Sequence, residues 1–492
     1  MAIIVSLDAG TTGVRALAID ETSTIRHVSY RELTQHYPQP GWVEHDLDEI
    51  WTKIQTVIAE LMNEIDEPVA AIGITNQRET VAAWNKKTGR PLHRAIVWQD
   101  RRTAERCELL AEQVPMIRST TGLVADPYFS ATKYEWLLNQ GGVEPEADLA
   151  LGTIDSWLIW NLTGGTHHYT EPSNASRTML FDINSLGWSD EMCELFSIPR
   201  HSLAEVVPSS SLIATTADTT ALGAGIAISG VAGDQQAALF GQACFQPGMT
   251  KNTYGTGSFV VMNTGHRPPP IVDGLLTTVG WTIGDNDHVT YAYEGAIFVT
   301  GAAIQWLRDG LQLIESAPEI GPLAASVDST NDVFMVPAFA GLGSPWWDPW
   351  ARGTIVGITG GTTKAHLARA VVESMAYQTR DVVEIMAQSA GLSLTELRVD
   401  GGASVMDLLL QFQADQLGVD VTRPRSQEST AVGAAYLAGL AVGVWGSTDE
   451  ITEAWALDRK FTPAADRGRA DQLHRRWRKA VTLSTGWARE AE

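Results

Sequence analysis

Two short turns rich in glycine and threonine, each set between apolar runs of strand type, lie in opposite halves of this 492-residue chain. Residues 8–15 read DAGTTGVR, after IIVSL and before ALAI; residues 252–258 read NTYGTGS and run into FVVM. Glycine admits positive φ and close approach, so a hairpin of this composition presents backbone N–H groups and threonine hydroxyls to an anion. Two such hairpins facing one another predict a polyphosphate held between two bodies.

The punctuation farther along strengthens that reading. After strands at Ile3 to Leu7 and Arg15 to Ile19, a helix is predicted from Asp46 to about Asn63. Asp46 and Glu49 form a capping box there, and Ile50, Ile54, Val57, Ile58 and Leu61 form one apolar face. His45, just before it, is explained as part of the helix-start signal. A strand over 70–75, then VAAW, a KKTGRP turn and a strand around 95–98 predict an antiparallel meander. Ile228 to Ala232 reads as a strand ending in Gly233-Asp234 before a helix. Leu397 to Asp400 ends likewise in Gly401-Gly402, before a helix through Leu408 to Leu417. A hairpin early and a strand–glycine–helix unit late, twice over, predict an α/β protein of two similar domains around a cleft, 1–244 and 245–492. The boundary falls near 243–248, where FQPG breaks a helix.

Charge and cysteine usage exclude several classes. A net charge of −23 leaves no basic surface for nucleic acid, so an anionic ligand must be met by local donors. Three widely spaced cysteines without a CxxC give neither a disulfide framework nor a structural zinc site, and they predict a reducing compartment. The chain enters IIVSL almost at once without a basic leader, which predicts a cytoplasmic protein. The longest apolar run, 431–445, is too short for a membrane span and its Gly and Ala content suits a buried helix.

Taken singly, the polar residues at these junctions have ordinary readings. Asp8 is a turn former, Arg78-Glu79 a surface ion pair, Asp234 a helix N-cap, and Trp98 and Phe259 core aromatics. Side chains at 78 and 79 would leave a regular strand on opposite faces, so both reach one ligand only if the strand ends or bulges there. No P-loop or GxGxxG is present.

Nine separated segments change the weighting: DAGTTGVR, PGWVEHD, GITNQRET, YFSATKYEWL, SNASRTMLF, AGDQQAALFGQ, NTYGTGSF, GLGSPWWDPWARG and VDGGAS. Across nearly the whole length the chain resembles the FGGY carbohydrate kinases, and among them the glycerol kinases. The resemblance implies two ribonuclease-H-like domains of the actin/Hsp70/sugar-kinase type closing on ATP, with transfer of a phosphoryl group from MgATP to glycerol. It implies Asp234 as the catalytic base, and Arg78, Glu79, Trp98, Tyr128, Asp234, Gln235 and Phe259 around the polyol. Thr11, Thr12, Gly13, Arg15, Thr256, Gly301, Gln305, Gly402 and Met406 fall to ATP, and Asp8 to Mg²⁺. It further implies a homodimer or homotetramer. Ala9, Gly13 and Met406 stand where the family commonly has Gln, Ser and Asn. Residues 209–230 contain no Lys or Arg, which predicts weak or no inhibition by fructose 1,6-bisphosphate, an effector that binds a basic loop there in some members. The residues themselves leave open a kinase of another polyol or ketopentose, and a polyol sensor on an ATPase fold. The SPWWDPW tryptophans, Trp346, Trp347 and Trp350, read as a packed loop or subunit contact.

Overall fold

The computed structural model describes residues 2–284, 288–464 and 466–489. Its spine is one mixed sheet of thirteen strands, built from two copies of the same five-stranded plan. In the first copy Ile3–Ala9 pairs antiparallel with Gly13–Asp20, which pairs antiparallel with Ile25–Glu32. On its other side Ile3–Ala9 runs parallel to Val69–Asn76, and that strand parallel to Ala227–Gly233. The second copy repeats this order: Thr250–Tyr254 pairs antiparallel with Ser258–Gly265, then His288–Ile297, and parallel with Leu397–Asp400, then Val421–Pro424. The central strands are buried on both faces, which explains their near-continuous apolar composition.

Ser210–Thr215 and Leu276–Ile283 extend the two copies toward each other and meet in a single pairing, Ser210 with Ile283. The seam is reinforced by a helix. Ser429–Ala441 comes from the second half of the sequence yet lies on strands of the first. Hydroxyls of Ser6, Ser210 and Ser229 donate to its carbonyls at Ala431, Leu437 and Ala438, at 2.7, 2.7 and 3.0 Å. The helix can approach so closely because glycine lies beneath it: a Cβ on Gly73 would sit 2.2 Å from the Ala434 carbonyl oxygen. Its other side packs on the helix Asp234–Gly241, where a Cβ on Gly433 would sit 1.8 Å from the Ala237 oxygen.

Two local expectations are corrected. Val81–Asn85 and Ala95–Ile96 pair antiparallel as expected, but with Glu44–His45 and Leu149–Thr153 in a separate four-stranded sheet, while strand Val69–Asn76 belongs to the large sheet, so the meander does not include 70–75. The run from 77 to 80 leaves the first sheet before the chain enters the second. The helix Leu47–Met62 forms as predicted, with the Asp46 carboxylate accepting from the N–H groups of Asp48 and Glu49. Only that half of the capping box forms, because Glu49 accepts instead from the N–H and hydroxyl of Thr34 and pairs with Lys53. All three cysteines are buried and free, and among the described residues no helix is long and apolar enough to cross a membrane.

Candidate active site

The first hairpin is braced from behind. Gln77 donates to the Gly10 carbonyl at 3.1 Å and to His45 Nδ1 at 3.2 Å, and His45 Nε2 lies 2.9 Å from Gln35 Oε1. Burial depresses His45 to about 4, leaving it a neutral strut, in keeping with its structural reading. Asp8 and Arg15 face each other in the register. Arg15 Nε and Nη2 both donate to Asp8 Oδ2, the former at 3.1 Å, and Arg15 Nη1 pairs with Glu428 at the foot of the helix Ser429–Ala441. Burial pushes the Asp8 carboxyl up while Arg15 opposes it. Among the described residues no hydrogen bond reaches Asp8 Oδ1, so a hard anionic oxygen is left at the turn, the donor type Mg²⁺ takes. The Thr11 hydroxyl accepts from the Trp98 indole at 2.9 Å, which ties the hairpin to the neighbouring aromatic wall, and Thr12 is exposed at the tip. Gly13 is closed over by Tyr30, whose ring would lie 2.4 Å from a Cβ there.

Arg78 and Glu79 follow the end of Val69–Asn76, and Glu79 has φ +58°. This left-handed turn brings consecutive side chains into one cluster, the condition the sequence set. Both are buried. Arg78 Nη1 and Nη2 donate to the two oxygens of Glu294 at 2.5 and 3.1 Å, and Nη2 also donates to the Tyr128 hydroxyl at 3.2 Å. Arg177 bridges the two carboxylates, reaching Glu79 at 2.7 Å and Glu294 at 2.9 Å. Burial alone would raise Glu294, but Arg177 and Arg78 outweigh it and bring it down to about 2. Burial raises Tyr128, so its phenol keeps its proton and can donate. The Tyr128 ring stands edge-on to Trp98 with centroids 5.6 Å apart, and Phe259 lies 6.0 Å from the Arg78 guanidinium. One donor is left over: Arg177 Nη1 is buried without a hydrogen-bonded acceptor, while Arg78 Nε is engaged only in an ion pair with Asp234. Aromatic neighbours, paired carboxylates and an unspent donor suit vicinal hydroxyls.

Asp234 opens the helix Asp234–Gly241, with Oδ1 2.8 Å from the Gln235 N–H and 3.1 Å from Arg78 Nε. The Ser173 hydroxyl accepts from the Gly233 N–H at 2.9 Å and fixes the turn before it. One third of the Asp234 side chain faces the cleft. Burial of the rest raises its carboxyl, with Arg78 and Lys251 pulling the other way. Gln235 is held from the opposite half, where Lys251 Nζ donates to its Oε1 at 2.5 Å.

The second hairpin opens on a cavity of about 650 Å³, lined by Thr256, Gly301, Gln305, Gly402 and Met406 together. These are the five second-half residues the sequence placed on the nucleotide. Gly301 is needed for its absence of a side chain, since a Cβ would lie 2.5 Å from the Gly255 carbonyl oxygen. Met406 contributes only a thioether to the wall, packed toward Gly321. Of the tryptophans in the SPWWDPW loop, Trp347 donates to Gly274 O at 2.9 Å and Trp346 lies under Arg478, as a packed loop requires; Trp350 is half exposed.

Sequence reasoning missed Glu294, Arg177, Lys251 and Glu428. Glu294 left a trace, a lone charge inside the apolar strand pattern YAYEGAI, whereas Lys251 lies among polar neighbours in MTKNTY and left none. Arg177 lies within the SNASRTMLF segment but was given no role.

The chain matches the model of the FGGY family of carbohydrate kinases, N-terminal domain, over residues 3–241, and the C-terminal domain over 250–442. It is 54% identical to a glycerol kinase of Bordetella parapertussis, over 99% of this chain and 98% of that one, and 54% identical to glycerol kinase 2 of Thermotoga maritima, over 99% of each. The solved structure of Plasmodium falciparum glycerol kinase with ADP superposes with a TM-score of 0.94 at 35% identity, covering 98% of both chains. A gluconate kinase from Lactobacillus acidophilus, 20% identical with a TM-score of 0.89 over 99% of both chains, shares the fold. Because the family match spans both copies of the five-stranded plan and every hairpin and junction described above, the chain belongs to the FGGY family of carbohydrate kinases.

Proposed function

We propose that this protein transfers the γ-phosphoryl group of ATP to a terminal hydroxyl of glycerol, giving sn-glycerol 3-phosphate and ADP. The observation that carries the reading is the cluster itself: Arg177 has an unspent donor and Arg78 pairs with Asp234, beside Glu79 and Tyr128, with Trp98 and Phe259 as aromatic neighbours. Such a set supplies donors and acceptors to adjacent hydroxyls of a short polyol. Glycerol kinases are prominent among the relatives, which favours glycerol over longer polyols.

Asp234 accepts the proton of the attacking hydroxyl. The glycerol oxygen bonds to the γ-phosphorus, the bond from that phosphorus to the β-phosphate oxygen breaks, and the electron pair leaves on ADP. Arg78 orients the polyol, Glu79 accepts from it, and Gln235 touches it from the helix N-terminus. Thr11, Thr12 and Gly13 cradle the phosphates from one side and Thr256 from the other, while Gly301, Gln305, Gly402 and Met406 line the adenosine pocket. Arg15 counters charge on the transferring group, held by Asp8 and Glu428. Asp8 would hold Mg²⁺, directly or through water, at its free Oδ1, and bound Mg²⁺ supplies screening of phosphate charge. Residues 1–244 thus carry most of the polyol contacts, a phosphate hairpin and the base, and 245–492 the nucleotide pocket. Three buried free thiols suit the cytoplasm, and a homodimer or homotetramer is the assembly we expect.

The test is ADP release from MgATP by the purified protein with glycerol, erythritol, xylulose or ribulose. Strong stimulation by glycerol alone is expected. Preference for another of these would overturn the glycerol assignment while keeping the phosphotransfer, and no stimulation by any would overturn both.

A further inference from the structure

Lys251 is a buried charge at the site to which the mechanism above gives no task. It projects from Thr250–Tyr254, the strand that leads into the nucleotide-side hairpin, and is fully buried. Two of its three N–H bonds are placed, on Gln235 Oε1 at 2.5 Å and on Thr253 Oγ1 at 2.9 Å. The first crosses from the second half of the chain to the helix that begins with Asp234. Four charged groups face it: Asp400 from Leu397–Asp400, Glu294 from His288–Ile297, Asp234, and Arg78 with opposing sign. Within the polyol cluster, Arg78 and Arg177 meet three carboxylates, Glu79, Glu294 and Asp234. Lys251 adds a third cation, which faces Asp400 as well as that cluster. A buried ammonium with fixed partners on both sides of a cleft is costly unless it is used.

We propose that Lys251 is a positioning residue for phosphoryl transfer, fixing the Gln235 carboxamide across the cleft and holding Asp234 ionised as proton acceptor. The proposal rests on Asp234 being that acceptor. Loss of turnover in Asp234→Asn tests that point separately, so the two can fail independently.

Burial depresses Lys251 to about 8. Its charge is present below that pH and lost above it, so turnover falls as pH rises through about 8. Full-length wild type, Lys251→Met and Lys251→Gln are compared by steady-state kinetics from pH 6 to 9.5. The variants should lose roughly 10- to 100-fold in kcat, the range for losing one charge-assisted hydrogen bond, with KM for ATP within about threefold of wild type. Their kcat should no longer show the basic limb. Thermal melting identifies any variant that has not folded. The wild-type profile alone then decides the matter: absence of a basic limb near 8 overturns the proposal. So does a folded variant that retains wild-type kcat or keeps the limb. A structural lysine would lower stability and leave the pH profile of the surviving activity unchanged.

Discussion

Replacing Glu294 by Gln removes the carboxylate on which both buried guanidiniums converge, while keeping the volume of the side chain. The magnitude follows from the site. A carboxyl brought from its ordinary 4.5 to about 2 is favoured in its ionised form by about 3 kcal/mol, at about 1.4 kcal/mol per unit of pKa. The residue is fully buried, so solvent does not dilute that figure. Removing one partner of a buried pair costs on the order of 3–5 kcal/mol, because the remaining charge is stranded; here Arg78 and Arg177 would share that burden. Glu294→Gln should therefore melt well below wild type at pH 7, and its KM for glycerol should rise, since Arg78 loses the contact that aims it. The sign of the pH dependence is fixed too. A depressed folded-state pKa contributes stability that is complete above about 4.5 and lost as pH falls toward 2, so the melting gap between wild type and variant should shrink on acidification. A double-mutant cycle with Arg177→Met completes the assay: the double variant should cost clearly less than the sum of the singles. Strict additivity, or a variant that melts with wild type at pH 7, would refute the cluster as the anchor of the site.

Three further outcomes are expected. Asp234→Asn should lower kcat by about a hundredfold to ten-thousandfold with glycerol binding retained, read by calorimetry; near-normal turnover sinks the assignment of the base. Gly301→Ala should raise KM for ATP and leave glycerol affinity unchanged, because the added Cβ would lie 2.5 Å from the Gly255 carbonyl oxygen in the nucleotide-side turn. Fructose 1,6-bisphosphate at millimolar concentration should leave the rate unchanged, as no Lys or Arg lies within residues 209–230; a clear inhibition curve would contradict this.

What could be read from the sequence followed from how local each signal is. The hairpins at 8–15 and 252–258 and the strand–glycine–helix junctions at 233 and 401 are written in adjacent residues, and their chemistry forced the duplicated plan. Residues 78 and 79 were legible as a conditional: they could share a ligand only if the strand ended, and φ +58° at Glu79 is how it does. The partners of that pair were not legible, because Arg177 and Glu294 lie about 100 and 200 residues away and meet it only through tertiary packing. The meander fell short for a related reason. Alternating runs over 70–98 fix strands but not which sheet each joins, and the excursion at 77–80 separates the first of them from the antiparallel pair that follows. Glu49 could not be foreseen as a partner of Thr34, since the capping rule sees only its own helix turn.

The helix Ser429–Ala441 bears on how such a chain comes into being. Strands Val69–Asn76 and Ala227–Gly233 have no side chain at Gly73 and Gly230, and what covers them is made more than two hundred residues later. During vectorial synthesis the first half therefore emerges with its sheet bare on one side, and it is completed only when nearly the whole chain has been made. Cutting the gene near residue 245 would give two fragments, the first of them missing part of its own interior. Co-expressed, they should be recovered as a complex, with the late helix acting as the clasp.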